Sequence, residues 1–117
     1  MQNRLIDFSV AVCRLVVQLP QDTFNTHVAR QILRCCTSPP PNYAEAQSAE
    51  SRQDFIHKMR ICLKELRETY VWLRMLERFE ALPSAPFEWV TRECNELIAI
   101  FTASVMTASK RARQAVG

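Results

Sequence analysis

Three consecutive prolines, Pro39, Pro40 and Pro41, stand in the middle of a chain whose apolar residues otherwise recur at three- and four-residue steps. Proline offers no N–H to the carbonyl four residues back, and its ring clashes with that carbonyl, so the run leaves the carbonyls of Cys35, Cys36 and Thr37 without helical donors. Each proline also pushes the residue before it away from the α region. One interior proline costs a helix roughly 3 kcal/mol or more, so three predict a break or sharp kink near Ser38. Helix is expected before it, through Val28, Ile32 and Cys35, and again in a short segment from Asn42 to Gln47. Asn42 and Glu45 are placed to bond backbone groups that the prolines leave unpaired, and they are also the candidates for a functional polar pair.

The first helix, expected from Arg4 to about Leu19, carries two apolar stripes. Leu5, Phe8, Val12, Leu15 and Leu19 form one; Ile6, Val10, Cys13 and Val17 form another, displaced by about half a turn. An outer helix of a monomeric bundle needs only one such stripe, so the second points to a subunit interface, the alternative being a more central helix. Pro20 closes this helix, and Asp22 or Thr23 can cap the next. Ser51 and Asp54 have the spacing of an N-terminal cap for the longest helix, Arg52 to about Phe79. Its core seam is Phe55, Met59, Cys62, Leu66, Thr69, Leu73 and Leu76, widened by Ile56, Leu63 and Tyr70. Pro86 suits the first position of the last helix, which buries Phe87, Val90, Cys94, Leu97, Ile98, Phe101 and Val105. Lys110, Arg111 and Arg113 then form a short basic tail. Trp72 and Trp89 project off the core stripes beside glutamates, as an interface rim would.

The fold class that follows is all-α, in one domain spanning residues 1–117, and 48% hydrophobic content suffices for a core. Gly117 is the only glycine, which excludes the phosphate-cradling P-loop and the dinucleotide-binding turn. No apolar run approaches the roughly 20 residues of a spanning helix, and the amphipathic start, with Asp7 and Arg14, is unlike a signal peptide; cytoplasm is the expected location. Five cysteines without a C-x-x-C pair read as reduced thiols, with Cys13, Cys62 and Cys94 acting as small hydrophobes. His27 and His57 are the only histidines. Asp54 and His57 alone make no metal site, and Cys35 or Cys36 lacks a nameable activating base, so neither enzyme activity nor a metal or cofactor is expected.

Away from the core seam of the long helix lies a row with the same spacing: Arg60, Lys64, Arg67, Val71, Arg74 and Arg78. It spans about 80° of the helix circumference and about 27 Å of its length. Cations in such a row, with those of the tail, suit salt-dependent contact with phosphates. Pairing of Lys64 with Glu68 would neutralise part of it, and a solvated helix face is the plainer explanation.

Gln31, Arg34, Ser38, Pro40, Asn42, Ala44 and Glu45 stand in the order of a motif that resembles the second helix of the bacterial four-helix-bundle family encoded in intervening sequences of large-subunit ribosomal RNA genes. The likeness extends to Asp7, Phe8, Ser9 and Val10, and to Phe55, Leu63, Leu66 and Glu68. This chain departs from the family pattern with three prolines for one, cysteines 35 and 36 for small residues, Ala46 for a glycine, and Lys64-Glu65 for Gly-Ser. The resemblance implies an antiparallel up-and-down four-helix bundle, assembly into a ring-like homo-oligomer such as a pentamer, no established enzymatic activity, and a link to RNA. Five copies of a chain of net charge +3 would carry +15. A related branch of the family serves retroelement reverse transcriptases as an accessory subunit, which implies a competing function as a protein-interaction scaffold.

Overall fold

The computed structural model describes residues 1–116, the side chain of Val116 excepted, as five α-helices: α1 (Gln2–Val16), α2 (Thr23–Cys36), α3 (Pro39–Gln47), α4 (Arg52–Arg78) and α5 (Ala85–Val116). No strand occurs among the described residues. Side chains that satisfy the first orphan N–H groups start two of the helices. Asp22 accepts from the Asn25 N–H at 2.8 Å to open α2, and the Ser51 hydroxyl accepts from the Asp54 N–H at 3.1 Å to open α4.

The chain breaks between Cys36 and Pro39, but helix resumes earlier than the sequence predicts. Pro39, Pro40 and Pro41 form the first turn of α3, where a helical N–H would have no partner in any case, so their missing donors cost α3 nothing. Ser38, contrary to the expectation for a residue before proline, keeps α-region angles (φ −78°, ψ −41°). That conformation is disfavoured, not forbidden, and it lets the Ser38 carbonyl close the first turn of α3 by accepting from the Asn42 N–H at 3.2 Å.

Across the break α2 and α3 act as one rod. Phe24 stacks on Phe79 at 4.0 Å, His27 meets Trp72 edge-on, Cys62 donates to the Pro39 carbonyl, and Lys58 pairs with Glu45. Partner numbers along α4 fall as numbers along α2 and α3 rise, so the two rods run in opposite directions. The contacts of Arg52, Arg60 and Arg67 with Arg111, Ser109 and Thr102 give the same relation for α4 and α5. The shorter α1 packs against α2, α3 and α5.

The core follows the expected seams. Leu5, Phe8, Val12 and Leu15 from α1, Met59, Cys62, Leu66, Leu73 and Leu76 from α4, and Phe87, Val90, Cys94, Leu97, Phe101 and Val105 from α5 join Val28 and Ile32 in one buried cluster. Phe55, Tyr70 and Ile98 pack at its edge, half-buried. Helix ends shift modestly: α1 stops at Val16, Pro86 is the second residue of α5, and Lys110, Arg111 and Arg113 are the last turns of α5 and not a tail. α4 ends in a left-handed residue, Glu80 (φ 59°), whose N–H bonds the Glu77 carbonyl while the Ala81 N–H bonds that of Leu76. This is the closing pattern that glycine usually supplies.

Candidate nucleic-acid interface

The regular spacing of the basic row survives folding, because α4 is continuous over its whole length and its core seam faces the other way. Arg60, Lys64, Arg67 and Arg78 are exposed. Arg60 reaches Ser109 at 3.3 Å and Arg67 reaches Thr102 at 3.5 Å, so these two guanidinium groups lean toward α5 while remaining in solvent. Arg74 is different: it lies half-buried over the Tyr70 ring, 5.8 Å from its centroid, bonds the Tyr70 hydroxyl, and sits 3.6 Å from Glu77.

The expected pairing of Lys64 with Glu68 does not form. Arg34 from α2 takes Glu68, and approaches Glu65 at 3.4 Å and Gln31 at 3.4 Å; the Trp72 indole N–H also donates to Glu68. The carboxylates beside the row are thereby turned toward α2, and Lys64 has no ion partner among the described residues. Sequence spacing within one helix could not reveal this, since the competing cation comes from another helix.

At the far end of the row the α4 and α5 surfaces meet in an open cleft of 460 Å³ lined by Arg60, Ser109, Lys110 and Arg113, with Val105, Met106 and Thr107. An adjoining cleft of 400 Å³ adds Gln53 and His57. Neither has a carboxylate in its lining. Arg111 lies apart from this group, in a depression with Glu50 and Arg52, and its carbonyl accepts from Arg52 at 3.1 Å. Of the three terminal cations, therefore, Lys110 and Arg113 join the row and Arg111 does not.

Around the break, Asn42 donates to the Ser38 carbonyl and hydroxyl at 2.9 and 3.0 Å. Glu45 takes no part: it is exposed and paired with Lys58 at 2.8 Å, which raises the Lys58 pKa, so the two residues make no polar pair. The larger repair comes from α1, which the sequence did not suggest. Buried Ser9 donates to the orphaned Cys36 carbonyl, while Gln2 adds a tie between α1 and α3 by donating to the Pro40 carbonyl at 2.8 Å. Burial keeps the nearby thiols protonated, pushing Cys35 up to about 11 and Cys36 higher still, which argues against a nucleophile there.

Ile6 (42% exposed) and Val10 (45%) on α1 and Val17 (81%) just past its end face solvent, while Cys13 is half-buried against Cys36. Trp89 is 45% exposed, but Trp72 packs against the core and so does not project as a rim residue would. Arg4 holds Glu93 through two bonds of 2.8 and 2.9 Å and Glu96 through a third at 2.8 Å, tying α1 to α5; the bonds from Arg4 lower the Glu93 pKa.

The 23S rRNA-intervening sequence protein family matches residues 1–103. The chain belongs to that family. A crystal structure of a protein of unknown function from the S23 ribosomal protein family of Bacteroides thetaiotaomicron VPI-5482 superposes with a TM-score of 0.80 at 31% identity, covering 89% of this chain and 96% of the other. No curated protein matches. Several residues that carried the resemblance now have physical roles in this member: Gln31, Arg34 and Glu68 meet in one network, Asn42 binds Ser38, and Ser9 repairs the break. The cleft residues Lys110 and Arg113 lie beyond the matched span.

Proposed function

We propose that this protein is a non-enzymatic, homo-oligomeric antiparallel four-helix bundle of the cytoplasm that binds structured RNA or other nucleic acid through the outer face of α4 and the end of α5. The observation that carries this reading is the partition of charge: Arg34 engages the acids beside the row, leaving Lys64, Arg67 and Arg60 exposed and continuous with a carboxylate-free cleft containing Lys110 and Arg113. Exposed cations spaced along a helix neutralise phosphates without reading bases, so affinity is sequence-tolerant and steeply salt-dependent. The exposed Ile6, Val10 and Val17 support assembly through α1, as a ring such as a pentamer, which would repeat the basic face around its circumference.

Filter binding to a panel of RNA duplexes and hairpins over a salt series tests this. Lys64→Glu with Arg67→Glu is expected to weaken every complex alike and to lower the slope of log affinity against log salt by about two, with the oligomer unchanged. Arg111→Glu, on another face, should have a much smaller effect. Unchanged retention by the double variant at low salt refutes the phosphate reading. Binding to a protein partner that persists at high salt and requires Trp89 would instead support a scaffold or accessory-subunit role.

A further inference from the structure

Where α1 meets the end of α2, two thiols come together. Cys13 on α1 and Cys36, the last residue of α2, place their Sγ atoms 3.9 Å apart. The other three cysteines have separate partners: Cys35 accepts from Thr69, Cys62 donates to the Pro39 carbonyl, and Cys94 donates to that of Leu66, all buried in the core. Only Cys13 is partly open to solvent. Ser9, one turn before Cys13, bonds the Cys36 carbonyl, so α1 grips Cys36 at two points and holds the sulfur atoms in register.

We propose that Cys13 and Cys36 form a peroxide-sensitive pair that closes to an intrachain disulfide, fastening α1 to the proline break. The thiolate of Cys13, its proton lost to solvent, attacks one oxygen of hydrogen peroxide. The O–O bond breaks, giving a Cys13 sulfenic acid and hydroxide, which takes up a proton as water. The Cys36 sulfur then attacks the Cys13 sulfur; the S–S bond forms as the S–O bond breaks, and the Cys36 proton leaves with the hydroxyl as a second water. Two thiols are thus oxidised by two electrons and one peroxide is reduced to two waters. Exposure assigns the first step to Cys13, since burial keeps Cys36 a protonated thiol that peroxide does not reach; Cys36 resolves because its Sγ stands 3.9 Å from the Cys13 sulfur and can pass its proton to the departing hydroxyl.

The test treats the reduced full-length protein with hydrogen peroxide, removes the excess, alkylates in denaturant and maps the peptides by mass spectrometry. Free thiols should fall from five to three, with a Cys13–Cys36 linked peptide, single-chain mobility on a non-reducing gel, and full reversal by dithiothreitol. Cys13→Ser, at the half-buried position, should fold and show no linked peptide after the same treatment. Because Cys13 also lies on the proposed subunit stripe, a link between two chains is the competing product. That product, a link between any other pair, or Cys13 advancing to sulfinic acid without a link overturns the proposal.

Discussion

Replacing Ser9 by alanine isolates the cost of building a helical rod around three prolines. Pro40 has no N–H for the Cys36 carbonyl, and neither does Pro39, which could otherwise serve through a tighter turn. The Ser9 hydroxyl supplies the missing donor, and both residues are buried. Ser9→Ala therefore strands a carbonyl away from water, which costs about 1–3 kcal/mol. At about 2 kcal/mol the unfolding equilibrium constant shifts roughly 30-fold, and for a domain of this size the melting temperature drops by roughly 8 °C. Asn42→Ala is the internal control. It removes a bond to the Ser38 carbonyl that still accepts the Asn42 backbone N–H, so it should cost only about 0.5–1 kcal/mol. Urea unfolding followed by circular dichroism, at one protein concentration, measures both. If Ser9→Ala falls within about 0.3 kcal/mol of the parent, or costs less than Asn42→Ala, the account of the break is wrong.

Glu80→Gly should stabilise the protein by about 0.5–1 kcal/mol in the same assay, since glycine removes the steric cost of a left-handed residue at the end of α4. Glu93 has a folded-state pKa below its ordinary 4.5, mainly through its hydrogen bonds from Arg4, so it contributes stability above that value that is lost as pH falls through the lowered one. Arg4→Met should therefore flatten the loss of stability with acid below about pH 5, as read by thermal melts across a pH series. Val10→Asp should dissociate the oligomer in light scattering while helicity is retained, because an unpaired carboxylate in an apolar interface costs several kcal/mol.

Much of the fold was legible because burial in helices imposes a period that a single sequence displays. The seams of α1, α4 and α5 could be listed residue by residue, and Asp22 and Ser51 announced their helices by local chemistry. What could not be read was anything decided between helices. The prolines signalled unpaired carbonyls, but not that Ser9, 27 residues earlier, would supply the donor. Trp72 looked exposed from its position on α4, yet His27 and the core cover much of it. Glu45 stood in the right place to repair the backbone, but Lys58 on α4 competes for it with a full charge.

The same limit applies to the candidate site, and there it alters the functional argument. Read along α4 alone, the basic row is partly cancelled by Glu68, since residues four apart on a helix are neighbours and Lys64 stands four before it. In the folded chain the helix-to-helix contact wins, because the planar guanidinium of Arg34 can address Gln31, Glu65 and Glu68 at once, whereas Lys64 carries a compact ammonium on a flexible stem. One arginine on α2 thus performs two tasks: it joins α2 to α4 and keeps the carboxylates away from the outer row. Arg34→Ala should accordingly release Glu68 toward Lys64 and weaken nucleic-acid retention from a position that does not belong to the row. A surface whose charge is set from beneath in this way cannot be scored by counting cations on one helix.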